Sequence, residues 1–269
     1  MTNYNNNLRQ RLGHGETVIG SWLSSGSPIV AELMAQMGFD FLTVDAEHSA
    51  VDLPQTQAML QAIRAGNPQC AGLVRLPDTN YATTKQFMDA GAAGIIAPLV
   101  NTAAQALEVV RAVKYPPLGG RGVGFCRAND YGAQLTPQTL NDANDASFVC
   151  VQIEHADALA HLDEIFTAGP IDAALIGPYD LSASLGVVGD FAHPLMQEAE
   201  RAILAACQRH NVAAGIHVVA PAPDAVRQRM REGYRFIAYS LDITLLQHAG
   251  REGLRAIRQT HVQHALACC

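Results

Sequence analysis

Two acidic residues, Glu154 and Asp180, stand 26 positions apart, and each closes an apolar run. The first run is Val149-Cys150-Val151-Gln152-Ile153-Glu154; the second is Ala173-Ala174-Leu175-Ile176-Gly177-Pro178-Tyr179-Asp180. Runs this short and rich in Val, Ile and Leu, each followed by a helical pattern, read as buried parallel strands. The spacing is about one strand-plus-helix repeat, so neighbouring strands would bring both acids to one rim. Carboxyl-terminal strand ends are where α/β sheets hold ligands. Two carboxylates that leave positions open for water and a chelating substrate suit Mg²⁺ or Mn²⁺. The alternative is that each acid caps the helix after it. Gln152, two residues before Glu154, and Gly177-Pro178, just before Asp180, favour a site, with the glycine letting backbone approach a ligand.

Asp45-Ala46-Glu47-His48 follows another apolar run, Phe39 to Val44. Three ionisable groups in four residues are costly to bury unless they are used. Histidine side chains ordinarily change charge near neutrality, so His48 qualifies as a base, with Asp45 placed to orient its ring. Arg75 closes a third run and can pair with a substrate carboxylate or developing oxyanion, or with a neighbouring strand-end acid. Lys85 and Lys114 lie in helical stretches, so no strand-end lysine offers a Schiff base. Together these groups would bind a small chelating oxoacid, withdraw a proton beside its carbonyl and stabilise the enolate.

Positioning them requires alternating strands and helices with short links, the pattern of a parallel sheet. Strands are expected at Thr17–Leu23, Phe39–Val44, Ala71–Leu76, Gly94–Val100, the two runs above, Ala213–Val218 and Phe236–Leu241. Helices are expected between them, the first from Pro28 with Ser27 as its cap and the last at 243–263. Residues 1–16 read as a polar arm. Eight strands in 269 residues predict a single (β/α)₈ TIM barrel spanning 1–269. One interval is too long: 56 residues separate Pro98 from Glu154. Tyr115 to Gln134, rich in Gly and Pro, is expected to loop across an active-site face or a subunit boundary.

A net charge of −7 without a basic tract argues against nucleic acid or an anionic membrane as partner. No apolar stretch is long enough to span a bilayer and the start lacks a signal core, so a cytoplasmic protein is expected. The six cysteines show no zinc spacing and are expected to be reduced.

The chain resembles the HpcH/HpaI family of metal-dependent pyruvate aldolases. The resemblance covers about Val18 to Gly250. It is carried by Gly38-Phe39-Asp40 before Asp45-Ala46-Glu47-His48, Val74-Arg75, Tyr115-Pro116-Pro117 with Arg121-Gly122-Val123-Gly124, Val151-Gln152-Ile153-Glu154 and Gly177-Pro178-Tyr179-Asp180-Leu181-Ser182. It implies that Glu154 and Asp180 ligate Mg²⁺, Mn²⁺ or Co²⁺, with pyruvate completing the coordination. His48, paired with Asp45, would be the base; Arg75 would hold the pyruvate or enolate oxygen, and Gln152 would support the site. The implied reaction reversibly cleaves 4-hydroxy-2-oxoacids into pyruvate and an aldehyde. The implied assembly is a homohexamer, a trimer of dimers that exchange the last helix. Two residues depart from the family pattern: Tyr179 stands for a small residue and is expected to narrow the site, and His217 for an aliphatic one, where an aldehyde tail would pass. Reactions using the same enolate remain open, namely oxaloacetate decarboxylation with condensation, or citrate-synthase or citramalyl-lyase chemistry. A non-catalytic binding barrel is the reading from a different class.

Overall fold

The computed structural model describes residues 8–133 and 135–267, with side chains as far as residue 259. Eight parallel strands close into a barrel in sequence order. The strands are β1 (Val18–Leu23), β2 (Phe41–Asp45), β3 (Ala71–Arg75), β4 (Gly94–Ala97), β5 (Phe148–Ile153), β6 (Ala173–Ile176), β7 (Ala213–Val218) and β8 (Phe236–Leu241). Between and around them run α1 (Leu8–Gly13), α2 (Pro28–Gln36), α3 (Leu53–Gly66), α4 (Tyr81–Asp89), α5 (Ala103–Val113) and α6 (Pro137–Ala146). The second half adds α7 (Leu162–Thr167), α8 (Pro178–Ser184), α9 (Pro194–His210), α10 (Pro223–Arg231) and α11 (Asp242–Ala267). Ser27 caps α2, its Oγ accepting the Val30 N–H.

Alternation along each strand divides the apolar residues into two sets. One set, including Val44, Val74, Ile95, Val151 and Ile176, packs between sheet and helices. The other fills the barrel and includes Phe41, Phe148 and Phe236. The Phe41 and Phe236 rings stack 4.4 Å apart, and Phe148 lies 5.2 Å from Phe236. Each phenylalanine has a glycine as its partner on the preceding strand: Gly20 beside Phe41, Gly94 beside Phe148 and Gly215 beside Phe236. A methyl group on any of the three would run into the phenylalanine it faces, so the glycines make room for the rings.

One expectation is corrected here. Residues 1–16 are not a polar arm throughout, because 8–13 form α1, whose Leu8 and Leu12 are buried in the barrel-filling set. Arg11 fastens α1 to Asp40 at 2.6 Å, and Arg9 reaches Asp172 at 3.0 Å, so the helix closes the floor. The segment after Tyr115, expected to cross an active-site face or a subunit boundary, leaves α5 at the amino-terminal rim, as a helix-to-strand connection must, and packs along α4: Arg121 is buried on Asp89 at 2.6 Å with its Cζ 4.6 Å from the Tyr115 ring centroid, and the Tyr81 hydroxyl donates to Gly120 O and accepts the Gly122 N–H. Its ends are pinned by Lys114, whose Nζ donates to Asn144 O (2.7 Å), Ser147 O (2.6 Å) and Ser147 Oγ (2.9 Å). Most of the surplus length is loop and the unexpected α6; Gln134 and the Cys268-Cys269 end lie outside the described residues.

Gly94→Ala should cost about 2–3 kcal/mol through forced displacement of β4 from β5. Urea unfolding checks this, and an unchanged midpoint would mean the strands part easily.

Candidate active site

The mouth of the barrel is built from the inside out by the same alternation. Strands β1, β3, β5 and β7 turn Trp22, Arg75, Gln152 and His217 inward at their upper ends, following the buried inward residues below them. β2 ends on Asp45, level with Arg75 across the ladder.

Asp45 and Arg75 form a buried two-pronged ion pair, Nε to Oδ1 at 2.9 Å and Nη2 to Oδ2 at 2.7 Å. The remaining prong of the guanidinium, Nη1, lies 3.0 Å from Glu47 Oε2, and its Cζ sits 4.3 Å from the Trp22 ring centroid. Asp45 Oδ1 also accepts the backbone N–H groups of Glu47 and His48 at 3.1 Å each, which shapes the turn carrying those two residues. Asp45 therefore orients Arg75 and the turn, not the His48 ring. That imidazole is 63% exposed and its Nε2 is 3.8 Å from Glu47 Oε2, so the acid beside it is Glu47. The expected His48–Asp45 pairing fails because a fixed guanidinium fork already occupies both carboxylate oxygens.

Glu154 is buried just past the end of β5. Its Oε1 accepts the Leu99 N–H at 2.8 Å, and its Oε2 accepts Gln152 Nε2. Leu99 donates from a left-handed backbone, φ 51°, a conformation disfavoured for a residue with a branched side chain. Gly177 must lack a side chain, since a Cβ there would stand 2.6 Å from Glu154 Oε2 and 2.8 Å from its Cβ. Burial pushes the Glu154 carboxyl above its ordinary range, and the charges of Glu47 and Asp180 push the same way against the Leu99 and Gln152 hydrogen bonds. Glu47 is raised as well, first by burial, with Arg75 opposing.

Asp180 does not end a strand. β6 stops at Ile176, and Asp180 lies exposed in the first turn of α8, behind Gly177 at the cap position and Pro178. Its charge nevertheless acts on both Glu47 and Glu154. Tyr179 is 58% exposed and meets Phe191 of the following loop edge-on at 5.0 Å. Ser182 Oγ donates to Tyr179 O and accepts the Gly189 N–H. Among the described residues no three His, Cys, Asp or Glu side chains form a metal-binding cluster. Glu154 and Asp180 fit a hard cation that keeps several waters and takes one or two carboxylates, as Mg²⁺ does, and the negative charge crowded around Glu154 is what such an ion would relieve.

Comparison with known proteins agrees with this fold. Residues 18–249 match the HpcH/HpaI aldolase/citrate lyase family. The chain belongs to that family. It is 40% identical to a 4-hydroxy-2-oxovalerate aldolase of Rhodococcus jostii (strain RHA1), over 90% of this chain and 92% of that protein. It is 38% identical to a hydroxypyruvate/pyruvate aldolase of Pseudomonas aeruginosa, over 92% and 91%. The crystal structure of an HpcH/HpaI aldolase/citrate lyase family protein from Burkholderia cenocepacia J2315 superimposes with a TM-score of 0.88 at 36% identity, covering 94% of this chain and 99% of that one.

The sequence alone gave Glu47 no role of its own, and left Trp22 and Leu99 out altogether. Glu47 sat inside the Asp45–His48 cluster and Trp22 is the sole tryptophan, so both left a signal, whereas the turned N–H of Leu99 left none.

The raised Glu154 carboxyl has a consequence for stability. The folded state holds this proton more tightly than the unfolded chain, so stability falls as pH rises from the ordinary carboxyl value through the raised one. In EDTA at neutral pH, Glu154→Gln should therefore melt above the wild type, by about 2–4 °C. Gln152 can turn its amide and offer its otherwise unpartnered Oε1 to the new amide. A lower melting temperature by calorimetry would show that the charge stabilises the fold.

Proposed function

We propose that the chain is a divalent-metal-dependent carbon–carbon lyase that reversibly cleaves 4-hydroxy-2-oxoacids to pyruvate and an aldehyde through a pyruvate enolate. The observation that carries this reading is the buried Glu154 carboxylate, crowded by Glu47 and Asp180 and held only by neutral donors, at the mouth that also holds Arg75. Family membership and the aldolase names of its relatives support the reaction class.

Glu154 and Asp180 would hold Mg²⁺, Mn²⁺ or Co²⁺, which supplies the positive charge that draws electrons from the oxoacid carbonyl. Gln152 and the Leu99 N–H fix the Glu154 oxygens in advance, so no reorganisation is needed when substrate arrives. Arg75 has five N–H donors, of which Asp45 takes two, while Glu47 is an ion-pair neighbour of Nη1 without a hydrogen bond, so donors remain for a carboxylate or enolate oxygen. His48, open to solvent and beside Glu47, takes the proton of the 4-hydroxyl in cleavage and returns it in condensation. Gly177, whose backbone packs closely on Glu154, and Pro178 would line the oxoacid's place. Tyr179 lies farther out, where an aldehyde would enter.

A cytoplasmic homohexamer built as a trimer of dimers completes this reading. Its support is α11: Ile243, Leu246, Leu254 and Ile257 recur at helical spacing and are each 49–75% exposed, an apolar stripe suited to a neighbouring subunit. Among the described residues no helix is long and apolar enough to cross a membrane.

Pyruvate release from a panel of 4-hydroxy-2-oxoacids, with and without EDTA, tests the reaction. The chelator and Glu154→Ala should each lower turnover by at least about a thousandfold while circular dichroism stays native; turnover that survives both removes the metal from the reading. His48→Ala should lose cleavage yet still bind Mn²⁺ by electron paramagnetic resonance, and unchanged cleavage would exclude His48 as the base.

A further inference from the structure

β8 departs from regular pairing at Ser240, whose φ is +54°, and the register between β1 and β8 shifts between Gly20 and Trp22. Bulges of this kind re-aim groups beside active sites. Here the Ser240 carbonyl takes two side-chain donors, His217 Nε2 at 2.9 Å and Ser21 Oγ at 3.3 Å, while Ser240 Oγ donates to Val219 O. A carbonyl can only accept, so Nε2 carries the proton and Nδ1 of the neutral ring keeps a bare lone pair. Burial holds the imidazole neutral, lowering its pKa to about 4; the Ser240 hydrogen bond opposes this and the charge of Arg75 adds to it.

Among the described residues Nδ1 has no hydrogen-bond partner, and it is not one of the fully buried unpaired atoms. The ring stacks on Trp22, centroids 5.0 Å apart and planes within 8°, and Trp22 in turn packs on the Arg75 guanidinium. Two further neutral atoms of the same layer, Trp22 Nε1 and Gln152 Oε1, are buried without partners. The bare lone pair repels a carboxylate and accepts from a hydroxyl, and the stacked Trp22 ring carries an unpaired N–H in the same layer.

We propose that His217 is a specificity-determining residue whose Nδ1 accepts a hydrogen bond from a hydroxyl on the carbon next to a reacting carbonyl. The proposal rests on the aldolase reading above. The hydroxyl is carried either by the 2-oxoacid, as in hydroxypyruvate against pyruvate, or by the aldehyde, as in glycolaldehyde against acetaldehyde.

His217→Phe keeps a ring against Trp22 and removes the acceptor. Condensation is measured for wild type and variant, both with Mg²⁺, across the four pairings of pyruvate or hydroxypyruvate with acetaldehyde or glycolaldehyde. The readout is the ratio of kcat/KM for the hydroxylated over the plain partner, which cancels any general effect of the substitution. In the wild type one arm should favour the hydroxylated partner by about tenfold or more, and in His217→Phe that ratio should fall to near one. The arm that moves names the source of the hydroxyl. A wild type without preference in either arm, or a variant that keeps it, overturns the proposal.

Should His217→Phe fail to fold, the wild type decides alone. Trp22 is the only tryptophan and touches the imidazole, so its fluorescence reports binding without turnover. Titration with the same four compounds should show tighter binding of the hydroxylated member of one pair; equal or absent quenching overturns the assignment. Failure of the aldolase reading looks different, since no pairing would then yield product.

Discussion

Negative charge at the mouth of this barrel is distributed unequally, and the rest of the site follows from that. Arg75 spends its charge on Asp45 and Glu47, so Glu154 is left with a backbone N–H and an amide. Among the described residues the charges that act most on it are those of Glu47 and Asp180. Neutral dipoles hold the oxygens in place but do not cancel the cost of burying a carboxylate beside two others. A fold that keeps such an arrangement is less stable for it unless a cation arrives, which is the property expected of a binding site rather than of a structural ion pair. The Asp45–Arg75 pair is of the other kind: doubly hydrogen-bonded and level across the ladder, it fixes the guanidinium and the turn carrying Glu47 and His48.

The barrel was legible because a parallel strand with both faces covered must be apolar almost throughout. β7 and β8 were readable to the residue for that reason. Helices with weak apolar faces were harder. α6 buries only Asn144, so no stripe in Pro137–Ala146 announced a helix, and α1, six residues long, offered two leucines in a polar context. In the Tyr115 loop, glycine and proline mark a turn but not which rim its ends lie on. Chain direction does mark it, since a connection from helix to parallel strand returns to the amino-terminal side.

In the site, the residue types were legible and several of their partners were not. Glu154, Asp180, Arg75, His48 and Gln152 all lie at the mouth, and the apolar run before each acid said as much. Whether Asp45 serves His48 or Arg75 depends on side-chain reach across two strands, which spacing along the chain does not encode. Asp180 seemed to end a strand because Gly177-Pro178 was read as strand, whereas Pro178 opens α8. Leu99 and Ser240 are the least readable of all. Their positive φ values, +51° and +54°, fall on residue types that do not advertise a left-handed backbone.

Those two strained positions occupy equivalent places, at the mouth ends of β4 and β8, and each re-aims one backbone group: an N–H toward Glu154, a carbonyl toward His217. Strain of this kind persists only where the surroundings over-determine it. Beneath the mouth the phenylalanine rings sit in glycine-made recesses, and α1 closes the floor, so the lower barrel has little freedom to relax the upper. Well-packed lower layers thus supply the stability that crowded carboxylates and two disfavoured turns consume, consistent with a site whose groups are set before the substrate enters.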